Sequence, residues 1–455
     1  MGNRQKYRIH VAPAVWFVTF VLLFERDLRG IGAAVRLAPT PTGILPGFWL
    51  EDLALCIPFA YAATSGRLSR IFKAKSVLLV LAFWSYGFLL AAVRSNGVSP
   101  LMTDVRNCLA LFAGLALVSS FRFHKKTLVR ILVVATTACA VLATCSLLAV
   151  PGAIQSVLSG ARLTTQSGFM LLTPAMILFP SATILAVVTK WRWGALSSAL
   201  VGVLLWFESA TFLQTRSTLV AVSFALLLTG VGVLAWRKGI VGRWPPRRRR
   251  WGRWLFLGIV VCVGLGVVAR VDPTALSGGV MSRFGPEWTL ESDATWVVRA
   301  GEIEEMFAGM SPAESLAGLG VGPTPVMDYR GDPVFSLHIG WMNIWWRFGL
   351  LAMSSLTVGC VALFWKWART VIRIRAGRYI TMKDIRILVG APGILTVAAV
   401  ASISGGWGPA ALLPLGVCWG LCIAPLFEPA EALPAARGCN AFNCLLRTQV
   451  EERRC

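Results

Sequence analysis

Charge is scarce in this sequence: 14% of its residues are Asp, Glu, Lys or Arg, where a soluble domain carries roughly 25%. A chain of 455 residues with so little charge lacks the polar surface that water demands, which points to lipid as its solvent. Histidine is rarer still, with three in the whole chain, so few positions offer imidazole chemistry. No long polar break occurs before Arg270, and no clear internal repeat of the kind that many transporters carry is visible. None of the eleven cysteines lies in the hydrophilic segment 270–337, so disulfides are not expected. Cys418 and Cys422 stand one turn apart without a histidine or carboxylate beside them, a spacing that suits packing better than metal binding.

What the sequence has in abundance is apolar residues, 56% of the total. Crossing a hydrocarbon core of about 30 Å takes roughly 20 mostly apolar residues as a helix, because the backbone must satisfy its own polar groups there. Twelve runs qualify: 11–24, 44–63, 76–93, 106–120, 127–150, 167–189, 191–213, 216–236, 254–269, 338–365, 387–404 and 409–427. The first follows a basic start, as a secretory signal would, but leads into Glu25, Arg26 and Asp27 instead of a small-residue cleavage site. The expected fold is therefore all-α and polytopic. Residues 1–269 hold helices one to nine, 270–337 a large, partly helical outer loop, 338–427 helices ten to twelve, and 428–455 a tail.

The net charge of +23 is unevenly placed. One alternating set of loops carries about 32 of the 44 Lys and Arg, including the run from Arg247 to Arg250, and the other set about 11. That is the positive-inside pattern, which puts both termini in the cytoplasm and accounts for the basicity without nucleic acid. The basic loops are also expected to meet anionic membrane lipids. Segment 270–337 has the opposite character, with ten acids against Arg270, Arg283, Arg299 and Arg330, and is expected outside. Within it, residues 293–310 predict a helix lying on or near the membrane, with Trp296, Val297, Ala300, Ile303 and Phe307 at helical spacing.

His10 and His124 fall in basic cytoplasmic segments. His338 is different: it opens helix ten directly after the acidic loop, where an imidazole can take a proton from an incoming hydroxyl, or else merely anchor the helix at the interface. Arg216 opens helix eight from the same side. Its planar fork suits a diphosphate, although an arginine at a helix end also snorkels to headgroups. Arg299 is a candidate second clamp, with Glu302 or Asp293 as alternative partners. Arg94 and Arg106 flank the outer loop between helices three and four and are candidates, with Arg283, for binding an anionic headgroup. Glu51 and Asp52, inside helix two, predict structural ion pairs.

Two motifs are discounted. Gly318-Leu319-Gly320-Val321-Gly322 imitates a dinucleotide loop but follows no strand, so a turn near the membrane is expected. Glu25-Arg26-Asp27 offers an acidic pair of the sort that holds a divalent metal in another class of membrane glycosyltransferase; interfacial charge is the expected role here.

In order, spacing and sidedness, three points resemble the O-antigen ligase and polymerase superfamily of bacterial membrane glycosyltransferases. They are Thr215-Arg216-Ser217; the segment from Asp293 through Arg299 to Gly318-Leu319-Gly320; and His338-Ile339-Gly340-Trp341 leading to Phe348-Gly349-Leu350-Leu351. The resemblance covers roughly 206–351, and the earlier helices match in number and character. Departures are Ile339, where the family often has Asn, and Arg347, where it often has Glu. The resemblance implies metal-independent and cofactor-free transfer of a glycan from an undecaprenyl diphosphate carrier to an acceptor hydroxyl at the periplasmic face of the inner membrane. His338 would serve as general base, and Arg216 and Arg299 would hold the diphosphate. The acceptor is a lipid A core sugar if the chain is a ligase and the end of another carrier-linked glycan if it is a polymerase. A twelve-helix transporter or lipid-glycan flippase is the competing class.

Overall fold

The computed structural model describes residues 2–31, 38–43, 48–66, 71–120, 125–150, 166–211, 216–241, 294–323, 337, 339–378, 380–403 and 408–424. Among them the chain is all-helical, with a single isolated β-bridge between Pro41 and Trp49. Fourteen described helices follow in order: α1 (Gly2–Leu23), α2 (Glu25–Arg29), α3 (Leu50–Thr64), α4 (Lys75–Arg94), α5 (Val98–Ser119), α6 (Lys125–Leu148), α7 (Gln166–Val188), α8 (Arg192–Thr211), α9 (Arg216–Val241), α10 (Ala294–Ala308), α11 (Pro312–Ala317), α12 (Gly340–Arg375), α13 (Met382–Ile403) and α14 (Pro409–Ile423). Eleven of the twelve apolar runs coincide with one of these helices; the run 254–269 lies outside the described residues.

Six of the helices are long and apolar enough to cross a membrane: α4, α5, α9, α12, and the apolar stretches of α6 and α7. Their outward faces carry large apolar side chains, among them Leu89 and Val93 of α4, Val134 of α6, Leu227 of α9, and Leu351 and Val358 of α12. A water-soluble protein would not tolerate so many on its surface; hydrocarbon does.

Helix α7 is the hub. It packs against α6, α8, α9, α13 and α14, and nearly all of its apolar stretch is buried. With apolar solvent on the outside, burial of hydrocarbon gives little drive for helices to associate, and close backbone packing takes its place. The contact between α5 and α14 shows this. A Cβ placed on Gly416 would stand 1.9 Å from the carbonyl oxygen of Leu111, and one on Gly114 would stand 2.0 Å from that of Leu413. The spacing Gly416-Val417-Cys418-Trp419-Gly420 is the small-residue repeat that allows such approach. Cys418 fills space between α7 and α13, its Sγ lying 3.5 Å from Ser181 Oγ and 3.8 Å from the Ile177 carbonyl.

Helix α5 begins at Val98, eight residues before the apolar run assigned at 106. Its first turns contain Asp104, which the sequence places in the loop before that run, and Arg106 and Asn107 at the start of the run. Each is matched by a partner on another element or on its own helix, and so the helix can continue through them.

Candidate functional site

Helix α12 enters the bundle through a kink. Gly349 has φ 79 and ψ 174, a region open essentially to glycine, and the break leaves main-chain carbonyls of the preceding turn in need of donors. The segment 318–322 supplies them: Leu319 N donates to the carbonyl of Trp346 (2.8 Å) and Gly320 N to that of Arg347 (3.0 Å). Val321 N then donates to Gly87 of α4 (3.1 Å), and Asn96 Nδ2 donates to the carbonyls of Leu319 (3.3 Å) and Val321 (2.8 Å). The glycines at 318, 320 and 322 all take positive φ, and any Cβ there would also meet backbone of α12, α4 or α5. This stretch is thus a strap wedged among three helices, in keeping with its reading as a turn.

Below the strap lies a buried polar chain. Arg347 Nε donates to Asp104 Oδ2 of α5 at 2.6 Å, with side chains 2% and 1% exposed. Gly322 N donates to the same oxygen (2.8 Å), and Asn107 Nδ2 lies 3.4 Å from the other. Arg347 Nη1 donates to Asn343 Oδ1 (3.0 Å). Asn343 also accepts from Leu337 N (2.8 Å) and donates to the carbonyls of Leu337 (2.7 Å) and Ile339 (3.2 Å). The main chain on both sides of position 338 is therefore held from within α12.

Helix α10 sits beside this entrance through Met306 and Met310, which cluster with Leu337 and Trp346, and through Phe307, whose ring meets Trp345 edge-on at 4.7 Å. Its apolar residues Val297, Ala300 and Phe307 are exposed, whereas Glu302 is buried and Arg299 half-buried. The inward face thus carries Glu302 and Arg299 beside Met306. The exposed apolar face is the one expected to lie on a membrane. Among the described residues Arg299 has no carboxylate partner, and its Nε is buried without a hydrogen-bond acceptor. Of the two alternative partners, Glu302 forms no described ion pair with it, and Asp293 lies outside the described residues.

The remaining candidates separate. Arg94 Nη1 pairs with Glu314 Oε1 at 2.7 Å, tying the end of α4 to α11. Arg106 Nε pairs with Asp52 Oδ1 at 2.6 Å, joining α5 to α3, while Asp52 Oδ2 accepts from Trp49 N (2.9 Å) at the start of α3. Both arginines thus have protein carboxylates for partners. Arg216 opens α9, but its side chain, like all of His338 and Arg283, lies outside the described residues. Glu25 accepts from Arg29 and from Thr40 Oγ1 (3.0 Å), so its oxygens are engaged within the loop.

Among the described residues outside the spanning helices, the Glu314 carboxyl departs from its ordinary range. Ser311 N, then the Arg94 guanidinium, then the Ser311 hydroxyl bind its charged form and hold it down at about 2, as hydrogen bonds to a carboxylate do.

Sequence reading passed over Asp104, Asn343 and Glu208. A signal for the first existed: an arginine inside a spanning helix needs a carboxylate, and Arg347 was visible as such. Asn343 stands four residues before Arg347, one turn away on the same face. Glu208 of α8 is fully buried; one oxygen bonds Thr144 of α6, and Oε2 has no hydrogen-bond partner among the described residues.

No protein-family model, curated protein or solved structure matches this chain.

Proposed function

We propose that the protein is a multi-pass membrane glycosyltransferase of O-antigen ligase type, moving a glycan from undecaprenyl diphosphate to an acceptor hydroxyl at the α10–α12 end of the bundle. The observation that carries this reading is the Arg299 guanidinium, half-buried on the inward face of α10 with its Nε unpartnered among the described residues. A buried cationic donor without an acceptor is costly, and an anion with several oxygens removes the cost. The order of Arg216, Arg299 and His338 along the chain, shared with the superfamily it resembles, adds to this support.

In the reaction, His338 takes the proton of the acceptor hydroxyl as its oxygen bonds the anomeric carbon. The bond from that carbon to the phosphate oxygen breaks, and its electron pair leaves with the diphosphate. Arg216 and Arg299 offset the charge that develops there. The acceptor is a lipid A core sugar in the ligase reading and the end of a carrier-linked glycan in the polymerase reading. The positive-inside pattern supports an outer-face location for this end and cytoplasmic termini, and the carrier-linked donor of this reading belongs at the periplasmic face of the inner membrane.

The test is transfer from a purified lipid-diphosphate glycan in detergent, offered a core-sugar acceptor and a carrier-linked acceptor separately. Removing a group that stabilises developing charge costs on the order of 10²–10³-fold in kcat, so Arg299→Ala should fall by that amount and Arg299→Lys by less. His338→Ala should lose about 10²–10⁴-fold. Undiminished transfer by either alanine variant rejects the mechanism.

Glu208 supports one other reading, a carrier or flippase coupled to proton movement, because an intramembrane carboxyl with an unpartnered oxygen suits such a relay. Loss of lipid-linked glycan translocation in Glu208→Gln, with no transfer by the parent protein, would favour it.

A further inference from the structure

The hydrogen-bonding capacity of Asn343 is used in full. Its amide has two acceptor sites and two N–H donors. Oδ1 receives Leu337 N at 2.8 Å and Arg347 Nη1 at 3.0 Å; Nδ2 gives to Leu337 O at 2.7 Å and Ile339 O at 3.2 Å. Rotating the amide by half a turn would set N–H against N–H and oxygen against oxygen, so only one orientation fits. The residue is fully buried, and water cannot substitute.

An ordinary helix start is capped by the side chain just before its first turn. Helix α12 has Ile339 in that place, with no side-chain cap bond. The bonds come instead from one turn inside, and they reach past the helix start to Leu337. What they fix is the path of the chain on either side of position 338.

We propose that Asn343 is a positioning residue for the chemistry at position 338, acting through the main chain of Leu337 and Ile339; this rests on the glycosyltransferase reading above. Arg347 sets the orientation of Asn343, and Asp104 of α5 sets Arg347. The same Asp104 oxygen holds Gly322 N, the end of the strap that follows α10 and α11. One carboxylate therefore fixes the height of the entrance to α12 and that of the segment that trails Arg299. A buried ion pair adds little stability over an apolar one, and a single defined geometry is what it supplies.

The experiment uses the full-length protein in detergent and compares Asn343→Leu, which removes all four bonds, with Asn343→Asp, which keeps the acceptor side and loses the donors. Amide hydrogen exchange is followed in a peptide spanning 335–341, and kcat and KM for glycan transfer are measured separately. In Asn343→Leu the Leu337 amide should exchange at least about tenfold faster. Its kcat should fall by about 10²-fold, the scale of an ångström of misplacement. KM for the donor should hold, because Arg216 and Arg299 do not act through Asn343. Asn343→Asp serves if the leucine variant fails to fold. It should keep Leu337 slower than in Asn343→Leu and lose at least about tenfold in kcat, because both donors are gone and a carboxylate oxygen then faces the Leu337 and Ile339 carbonyls. Wild-type exchange in Asn343→Leu, or fast exchange with undiminished kcat, overturns the proposal. A parent protein that transfers no glycan sinks the glycosyltransferase reading, and with it the catalytic half of this one; the exchange measurement then decides alone whether Asn343 holds the chain at 337–339.

Discussion

Replacing Asp104 with alanine strands a guanidinium in the interior of the bundle. Arg347 is 1% exposed as a residue, and its Nε–Oδ2 contact with Asp104 is 2.6 Å. Removing one member of such a pair costs about 3–5 kcal/mol. Gly322 N also loses its acceptor, adding about 1–3 kcal/mol for an orphaned buried donor. Arg347→Met removes the positive charge instead and leaves Gly322 N bonded, so it should lie at the lower figure. The double variant carries neither charge, and its loss should stay well below the sum of the two singles, with a coupling energy of about 3 kcal/mol or more. The measurement is a double-mutant cycle by reversible unfolding in mixed micelles, followed by tryptophan fluorescence. Losses that add to within about 0.5 kcal/mol, or an Asp104→Ala protein as stable as the parent, would refute the claim that the pair acts as a unit.

Acid should loosen α11 before the rest. The Glu314 carboxyl is held down at about 2 from an ordinary value of 4.5, so its contribution is complete above about pH 4.5 and is lost as pH falls toward 2. Amide protection over 311–320, corrected for the intrinsic exchange rate at each pH, should fall in that window and stay constant in Glu314→Gln; constant protection in the parent contradicts the assignment. Glycine replacements should separate the kink from an unconstrained turn. At Gly349 a Cβ would meet Leu316 O at 2.0 Å, so Gly349→Ala should cost about 1–3 kcal/mol of backbone strain with the clash added. Gly377 has φ 67 and open space around it, so Gly377→Ala should cost about 1–2 kcal/mol. Thermal unfolding in detergent ranks the two, and equal losses would mean that the contact between α11 and the kink is not tight.

Legibility of the candidate site was uneven. Arg347 was apparent as a charge inside an apolar run, yet its partner lies 243 residues away in the chain and could not be picked from among the other buried acids. Arg94 and Arg106 invited a ligand because they stand at helix ends on one side. Their neighbours in space, Glu314 and Asp52, come from elements that local pattern does not pair. The stripe on α10 was found by its spacing, but spacing does not say which stripe faces inward when the surrounding solvent is itself apolar. Arg299 and Glu302 therefore turned in and Val297 turned out.

Residue order alone determined that this chain is helical, where nearly every described helix lies, and that a short helix interrupts the acidic segment. The reason is local: in hydrocarbon each backbone donor must find its acceptor four residues away, so length and apolarity suffice. Tertiary structure alone decided that α5 starts at Val98, that the glycine strap closes the kink at Gly349, and that Asp104, Arg347 and Asn343 form one chain of bonds. Those outcomes depend on which polar groups from distant segments meet in an interior without water. There a group's partner, not its own hydropathy, sets whether it can be buried.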